Sequence, residues 1–201
     1  MKLLRSAQLL VLSIIGLLMV ACATLPASNA PLNQSLSWPT RQASLNQFNT
    51  WKITGLISIR DQQQSQSANV VWVQNGQEYT ISIFGPLGFG GLILKGQPGI
   101  VTLKEDNGQK FTATTPEELI TETSHWVLPV SNLVFWIRGL PAPGLPSQLQ
   151  FDRYSHLSVL QQEGWKISYQ KYTGANQLDL PSTMILTHPP LTIKIVISEW
   201  K

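Results

Sequence analysis

The segment Trp51-Lys52-Ile53-Thr54-Gly55-Leu56-Ile57-Ser58-Ile59-Arg60 sets Trp51, Ile53, Gly55, Ile57 and Ile59 against Lys52, Thr54, Ser58 and Arg60. Successive side chains of an extended chain point to opposite faces, so a period of two predicts a strand with one buried face. The alternation recurs at Tyr79, Ile81, Ile83, at Val101, Leu103, at Trp165, Ile167, Tyr169, and at Leu191, Ile193, Ile195, Ile197. Turn signals fall between these runs: Asn75-Gly76, Gln97-Pro98-Gly99, Asn107-Gly108, Glu163-Gly164 and Pro189-Pro190. The pattern predicts a mainly β fold, a curved antiparallel sheet forming an open or half barrel.

Two stretches read as helices. Thr115-Pro116-Glu117-Glu118 offers an N-cap threonine, proline at the first helical position and an acid at the third. Ser131 to Arg138 carries Leu133, Val134, Phe135, Trp136 and Ile137 and stops at Gly139, with Pro141 beyond. A segment so apolar must be covered, most economically by the concave face of the sheet, where it forms a lid.

The N-terminus has a different logic. Lys2 and Arg5 precede an apolar run, Leu9 to Val20, that ends in Ala21-Cys22. This is the layout of a signal peptide, and the run is about half the roughly 20 residues that span a bilayer. Cys22 is the one cysteine of 201 residues and can form no internal disulfide. Leu18-Met19-Val20-Ala21-Cys22 resembles the bacterial lipobox, with Met19 where leucine is more usual, which implies cleavage before Cys22 and lipid on its thiol. In lipoproteins of this kind an aspartate after the cysteine commonly means retention in the inner membrane; Ala23 stands there, so the resemblance implies the outer membrane. The expected organisation is a signal peptide over 1–21, a lipid-anchored tether rich in Pro, Ser, Asn and Gln over 22–45 with a possible short helix near Trp38 to Phe48, and one domain over 46–201.

Removing Lys2 and Arg5 from the 14 basic residues leaves 12 against 11 acidic ones. A mature chain this near neutrality, without a Lys/Arg cluster, argues against nucleic acid as a partner. No catalytic constellation is visible either. The glycines around Phe84 to Gly91 lack the Lys-Ser/Thr ending of a phosphate-binding loop, and His125, His156 and His188 are dispersed without metal-ligand spacing. Glu118 and Glu122 share a helix face, the usual arrangement of a solvated pair, and no G-x-S-x-G elbow supplies a nucleophile. No enzyme, metal or cofactor is expected.

Within the domain, Phe84-Gly85-Pro86-Leu87-Gly88, Gln97-Pro98-Gly99, Asn107-Gly108-Gln109-Lys110-Phe111-Thr112-Ala113, Trp136-Ile137-Arg138-Gly139-Leu140-Pro141 and Trp165-Lys166-Ile167-Ser168-Tyr169 with Tyr172 occur in order behind the lipobox. In this order and spacing the chain resembles the LolB family of outer-membrane lipoprotein receptors. The resemblance implies an open barrel with helices over an apolar cavity for acyl chains. It further implies that triacylated lipoprotein cargo arrives from the periplasmic carrier LolA and leaves for the inner leaflet of the outer membrane, the domain facing the periplasm as a monomer.

Seven tryptophans suit such a container, and Trp51, Trp126, Trp136, Trp165 and Trp200 are candidates to line it, although core filling is the ordinary role of a buried aromatic. The loop carrying Phe84, Leu87 and Phe89 sets large apolar side chains among glycines where turns seldom place them, which suggests contact with a membrane or partner. In the family, the leucine matching Leu87 is associated with handing cargo to the membrane. The competing expectation is a structural envelope lipoprotein whose barrel is solid.

Overall fold

The structure is a computed structural model and describes residues 30–85, 91–124 and 128–201. In chain order the elements are α1 (Trp38–Gln47), β1 (Thr50–Arg60), β2 (Ser65–Asn75), β3 (Glu78–Phe84), β4 (Gly91–Gln97), β5 (Ile100–Glu105), β6 (Lys110–Ala113), α2 (Pro116–Ser124), α3 (Val130–Trp136), β7 (Ser147–Phe151), β8 (Leu157–Gln162), β9 (Trp165–Ala175), β10 (Leu178–His188) and β11 (Leu191–Trp200). The strands make one antiparallel sheet, β6-β5-β4-β3-β2-β1-β11-β10-β9-β8-β7, whose two edges do not pair. The expected open barrel is therefore what forms.

Register fixes the faces. Ile53 lies opposite Trp72 and Trp200, Trp72 opposite Ile81, Ile81 opposite Leu94, and Leu94 opposite Leu103. This apolar row is buried on the concave side, and the alternate residues face out. The β1–β11 pairing shifts by one between Thr54 and Gly55. A Cβ at Gly55 would stand 2.2 Å from the Val196 carbonyl oxygen, so only glycine lets the strands approach at this bulge.

α2 starts as the sequence predicts: Thr115 Oγ1 accepts from the Glu118 N–H, while the Glu118 carboxylate accepts from the Thr114 N–H and hydroxyl. Those Thr114 hydrogen bonds hold the Glu118 carboxyl below its usual pKa. α3 ends at Trp136 rather than Arg138. Gly139 takes φ +79, a left-handed value that closes the helix, and its N–H donates to the Trp136 carbonyl.

Among the described residues, packing against the domain extends N-terminal of residue 46, into the stretch expected as tether. α1 crosses that boundary and buries Arg41 and Leu45. Arg41 donates to the carbonyls of Gln34 and Tyr154, and lies 3.9 Å from Asp179. Asp179 accepts from the Leu32 N–H and contacts His156, whose other ring nitrogen meets Asp152 at 2.9 Å. Desolvating Arg41 and Asp179 is tolerable only because each has partners, and that pairing straps residues 32–41 to the sheet.

Candidate functional site

α3 sits over β8 and β9: the Trp136 indole N–H donates to Gln162 Oε1, and the Tyr169 hydroxyl donates to the Trp136 carbonyl. Burial pushes the Tyr169 hydroxyl well above its ordinary pKa, so this donor stays protonated. Arg138 continues the lid by donating to the carbonyls of Val134, Leu45 and Phe48, tying α3 to the end of α1. α2 packs instead on β5 and β6. The lid therefore reaches the sheet from both edges.

Toward one rim, the concave face is less completely covered. Ile57 and Ile59 of β1, Ile83 of β3 and Leu92 of β4 point inward by register but are only half-buried. Ile120, Leu128, Leu133, Val134 and Phe135 from the lid and its connection are half-buried as well. The strand members of this apolar set, which we call the mouth, lie toward the end of the sheet where β3 leads into β4. Such surface is held partly in water at a cost proportional to its area, which an apolar guest would recover.

Of the residues expected to matter, Trp51, Trp136, Trp165 and Trp200 are buried in the core rather than in the half-open zone. Trp51 packs on Trp72 at 5.2 Å and on Trp200 at 5.4 Å between ring centres, and Trp136 faces Trp165 at 6.4 Å. The Trp200 indole N–H donates to the Pro181 carbonyl. Phe84 ends β3, opposite Asn69 and Gly91, and belongs by register to the outer face. Cys22, Leu87, Phe89 and Trp126 lie outside the described residues. The half-buried set was missed in the sequence, although Ile57, Ile59 and Ile83 stand in the very alternations that predicted strands.

The described histidines serve structure. His156 is the buried link between Asp152 and Asp179, stacked on Tyr172, and His188 lies against Trp165. Among the described residues no group of three or more His, Cys, Asp or Glu could hold a metal, and no helix is long and apolar enough to cross a membrane.

Comparison with known proteins agrees with this architecture. A solved structure of a LolA-superfamily protein from Nitrosomonas europaea superposes with a TM-score of 0.53 at 7% identity, covering 83% of this chain and 93% of that one. A DUF1329-family protein from Desulfovibrio piger gives 0.55, also at 7% identity, with 82% and 90% covered. At such identities the likeness concerns the fold alone. Sequence relatives are much nearer: the outer-membrane lipoprotein LolB of Ectopseudomonas mendocina is 41% identical over 196 residues, covering 96% of both chains. That of Coxiella burnetii (strain Dugway 5J108-111) is 38% identical over 200 residues, covering 98% of this chain and 95% of the relative. With the family profile "Outer membrane lipoprotein LolB" matching residues 49–200 as well, the chain belongs to the LolB family of outer-membrane lipoproteins.

Proposed function

We propose that the domain accepts acylated lipoproteins from a LolA-type periplasmic carrier, shelters their acyl chains at the apolar mouth, and releases them into the inner leaflet of the outer membrane. The observation that carries this reading is the half-buried row Ile57, Ile59, Ile83 and Leu92, in a fold whose helix α3 also keeps Leu133, Val134 and Phe135 half-buried. Each exposed methylene of a lipid costs about 0.8 kcal/mol in water, so a protein that moves acyl chains needs such a surface within its fold. Half-burial suits a transient guest, since the empty site must also be tolerable.

Cys22 is the proposed anchor. The loop containing Leu87 is the proposed point of entry into the leaflet, supported by the flanking strands β3 and β4, which carry Ile83 and Leu92. Nothing in the sequence resembles a nucleotide-binding loop, so transfer follows differences in affinity, about tenfold for each 1.4 kcal/mol. A solid structural barrel is the second reading, and the packed tryptophans favour it.

The test mixes the protein with carrier-bound lipoprotein and liposomes, without ATP, and follows the cargo through both steps. Wild-type protein should take cargo and pass it on. Leu87→Glu should still take cargo and fail to deliver it, because a carboxylate is costly in hydrocarbon. Wild-type protein that takes no cargo would establish the solid scaffold instead.

A further inference from the structure

The outer face of β4–β6 has a charge arrangement that the fold alone does not call for. Lys104 stands directly opposite Lys110 across the β5–β6 pair, and Ile93 lies opposite Lys104 on the other side. Lys95 is opposite Thr102, which makes it the diagonal neighbour of Lys104. Like charges directly opposed on antiparallel strands destabilise the pair. None of the three lysines has an ion-pair partner among the described residues. The nearby acids are turned to other work: Glu105 faces Leu92 on the inward side and accepts from Asn107, and Asp106 lies in the following turn.

These lysines line a recess of about 590 Å³ together with Ile93, Ile100 and Gly108. Ile93 and Ile100 are 38% and 41% exposed on strands β4 and β5. Of the residues lining the recess, Ile93 stands two positions along β4 from Gly91, where the strand begins. Phe84 pairs with Gly91 on the outer face, which puts it diagonal to Ile93 two residues along β4. Apolar side chains therefore run from the base of the Leu87 loop into a basic hollow.

We infer that this outer face of β4–β6 is a seat for anionic phospholipid headgroups, laid against the leaflet while the adjoining loop enters it. Opposed lysines left without acids are complementary to a surface of phosphates. Exposed isoleucines among them suit the boundary between headgroups and acyl chains, where apolar and cationic side chains bind together. A lysine held near an anionic leaflet strengthens attachment by about fivefold, so three acting together orient the domain while screening by salt keeps the contact reversible. The inference rests on the reading that this domain delivers cargo to a membrane.

The experiment uses the full mature chain reconstituted in vesicles of phosphatidylcholine alone or with about one-third phosphatidylglycerol. A water-soluble acetylating reagent is applied, and the rate at each lysine is followed by mass spectrometry. Lys95, Lys104 and Lys110 should be acetylated at least threefold more slowly in the anionic vesicles only, with protection lost in high salt. Lys166 and Lys194, exposed on the outer face of β9 and β11, should react equally in both. Equal rates at the three lysines in both vesicles, or equal protection in both, would overturn the inference. In a second arm, the Lys95→Gln, Lys104→Gln, Lys110→Gln variant should accept cargo normally and deliver it to anionic vesicles at least tenfold more slowly. Loss of acceptance instead would assign this face to the carrier and overturn the headgroup seat. Protected lysines on a wild-type protein that takes no cargo would sink the transport reading and leave the lipid contact standing.

Discussion

Leu160, Ile167, Met184 and Leu186 on β8–β10, and Ile57, Ile59, Ile83 and Leu92 on β1, β3 and β4, all project from the concave side of one sheet. The first four are at most 1% exposed, whereas the second four are half-buried. Side-chain chemistry does not distinguish the groups, since each member is apolar and each lies in a strand. What differs is the cover. α3 presses Trp136 and Ile137 onto the first region, and the hydrogen bonds of Arg138 and Gln162 lock it there. The second region is left half-buried. One sheet thus supplies a stable scaffold on one side and an apolar surface with unfinished burial on the other.

The comparison breaks most visibly at Trp136. Trp136→Ala should cost about 3–5 kcal/mol, because a fully buried indole leaves a cavity and its N–H partner on Gln162. Urea unfolding measures it, and a loss below about 1 kcal/mol would mean that the sealed region is not sealed by α3. At the mouth, the double change Ile83→Thr, Leu92→Thr should cost less, about 1–2 kcal/mol, since these side chains are only half-buried. Retention of acylated cargo should nevertheless fall at least tenfold. A variant that keeps its cargo would move the binding surface elsewhere.

A smaller effect concerns Asp152, an exposed residue in the β7–β8 connection that holds the buried His156. Burial raises the Asp152 carboxyl, but the hydrogen bonds from the His156 ring and from the backbone N–H groups of His156 and Tyr154 outweigh it, so its pKa is lowered overall. A carboxyl lowered in the folded state contributes stability in full above its ordinary value of 3.8, and that contribution disappears as pH falls through the lowered value. Asp152→Asn should therefore be modestly less stable than wild type at neutral pH, with the two unfolding curves converging below about pH 4. A difference that persists or grows in acid would contradict the assignment.

These regions also mark what the sequence could and could not disclose. β1 was legible because its apolar residues recur at every second position, and the start of α2 because Thr115, Pro116 and Glu118 act on each other within one turn. β2 begins Ser65-Gln66-Ser67, and β10 carries Pro181 beside a register shift, so neither shows a clean alternation. The docking of α1 depends on Arg41 meeting Asp179, residues far apart in the chain, and no local pattern records such a pairing. The tryptophans illustrate the same limit: their size announces burial, but only packing separates a residue that fills a core from one that lines a space. Alternation tells which face a side chain takes and is silent on what lies over it, which is why Ile57, Ile59 and Ile83 were read as strand residues and not as a site.

The most direct test of the mouth is photo-crosslinking to an acylated lipoprotein presented by the carrier. Benzoylphenylalanine would replace Leu92 or Leu133 at the mouth and, as an outward control, Val73, which is 43% exposed. Crosslinks to the cargo's acyl chains should form from positions 92 and 133 and be absent from position 73. Equal crosslinking from all three positions, or none from 92 and 133 while cargo is demonstrably bound, would contradict the account.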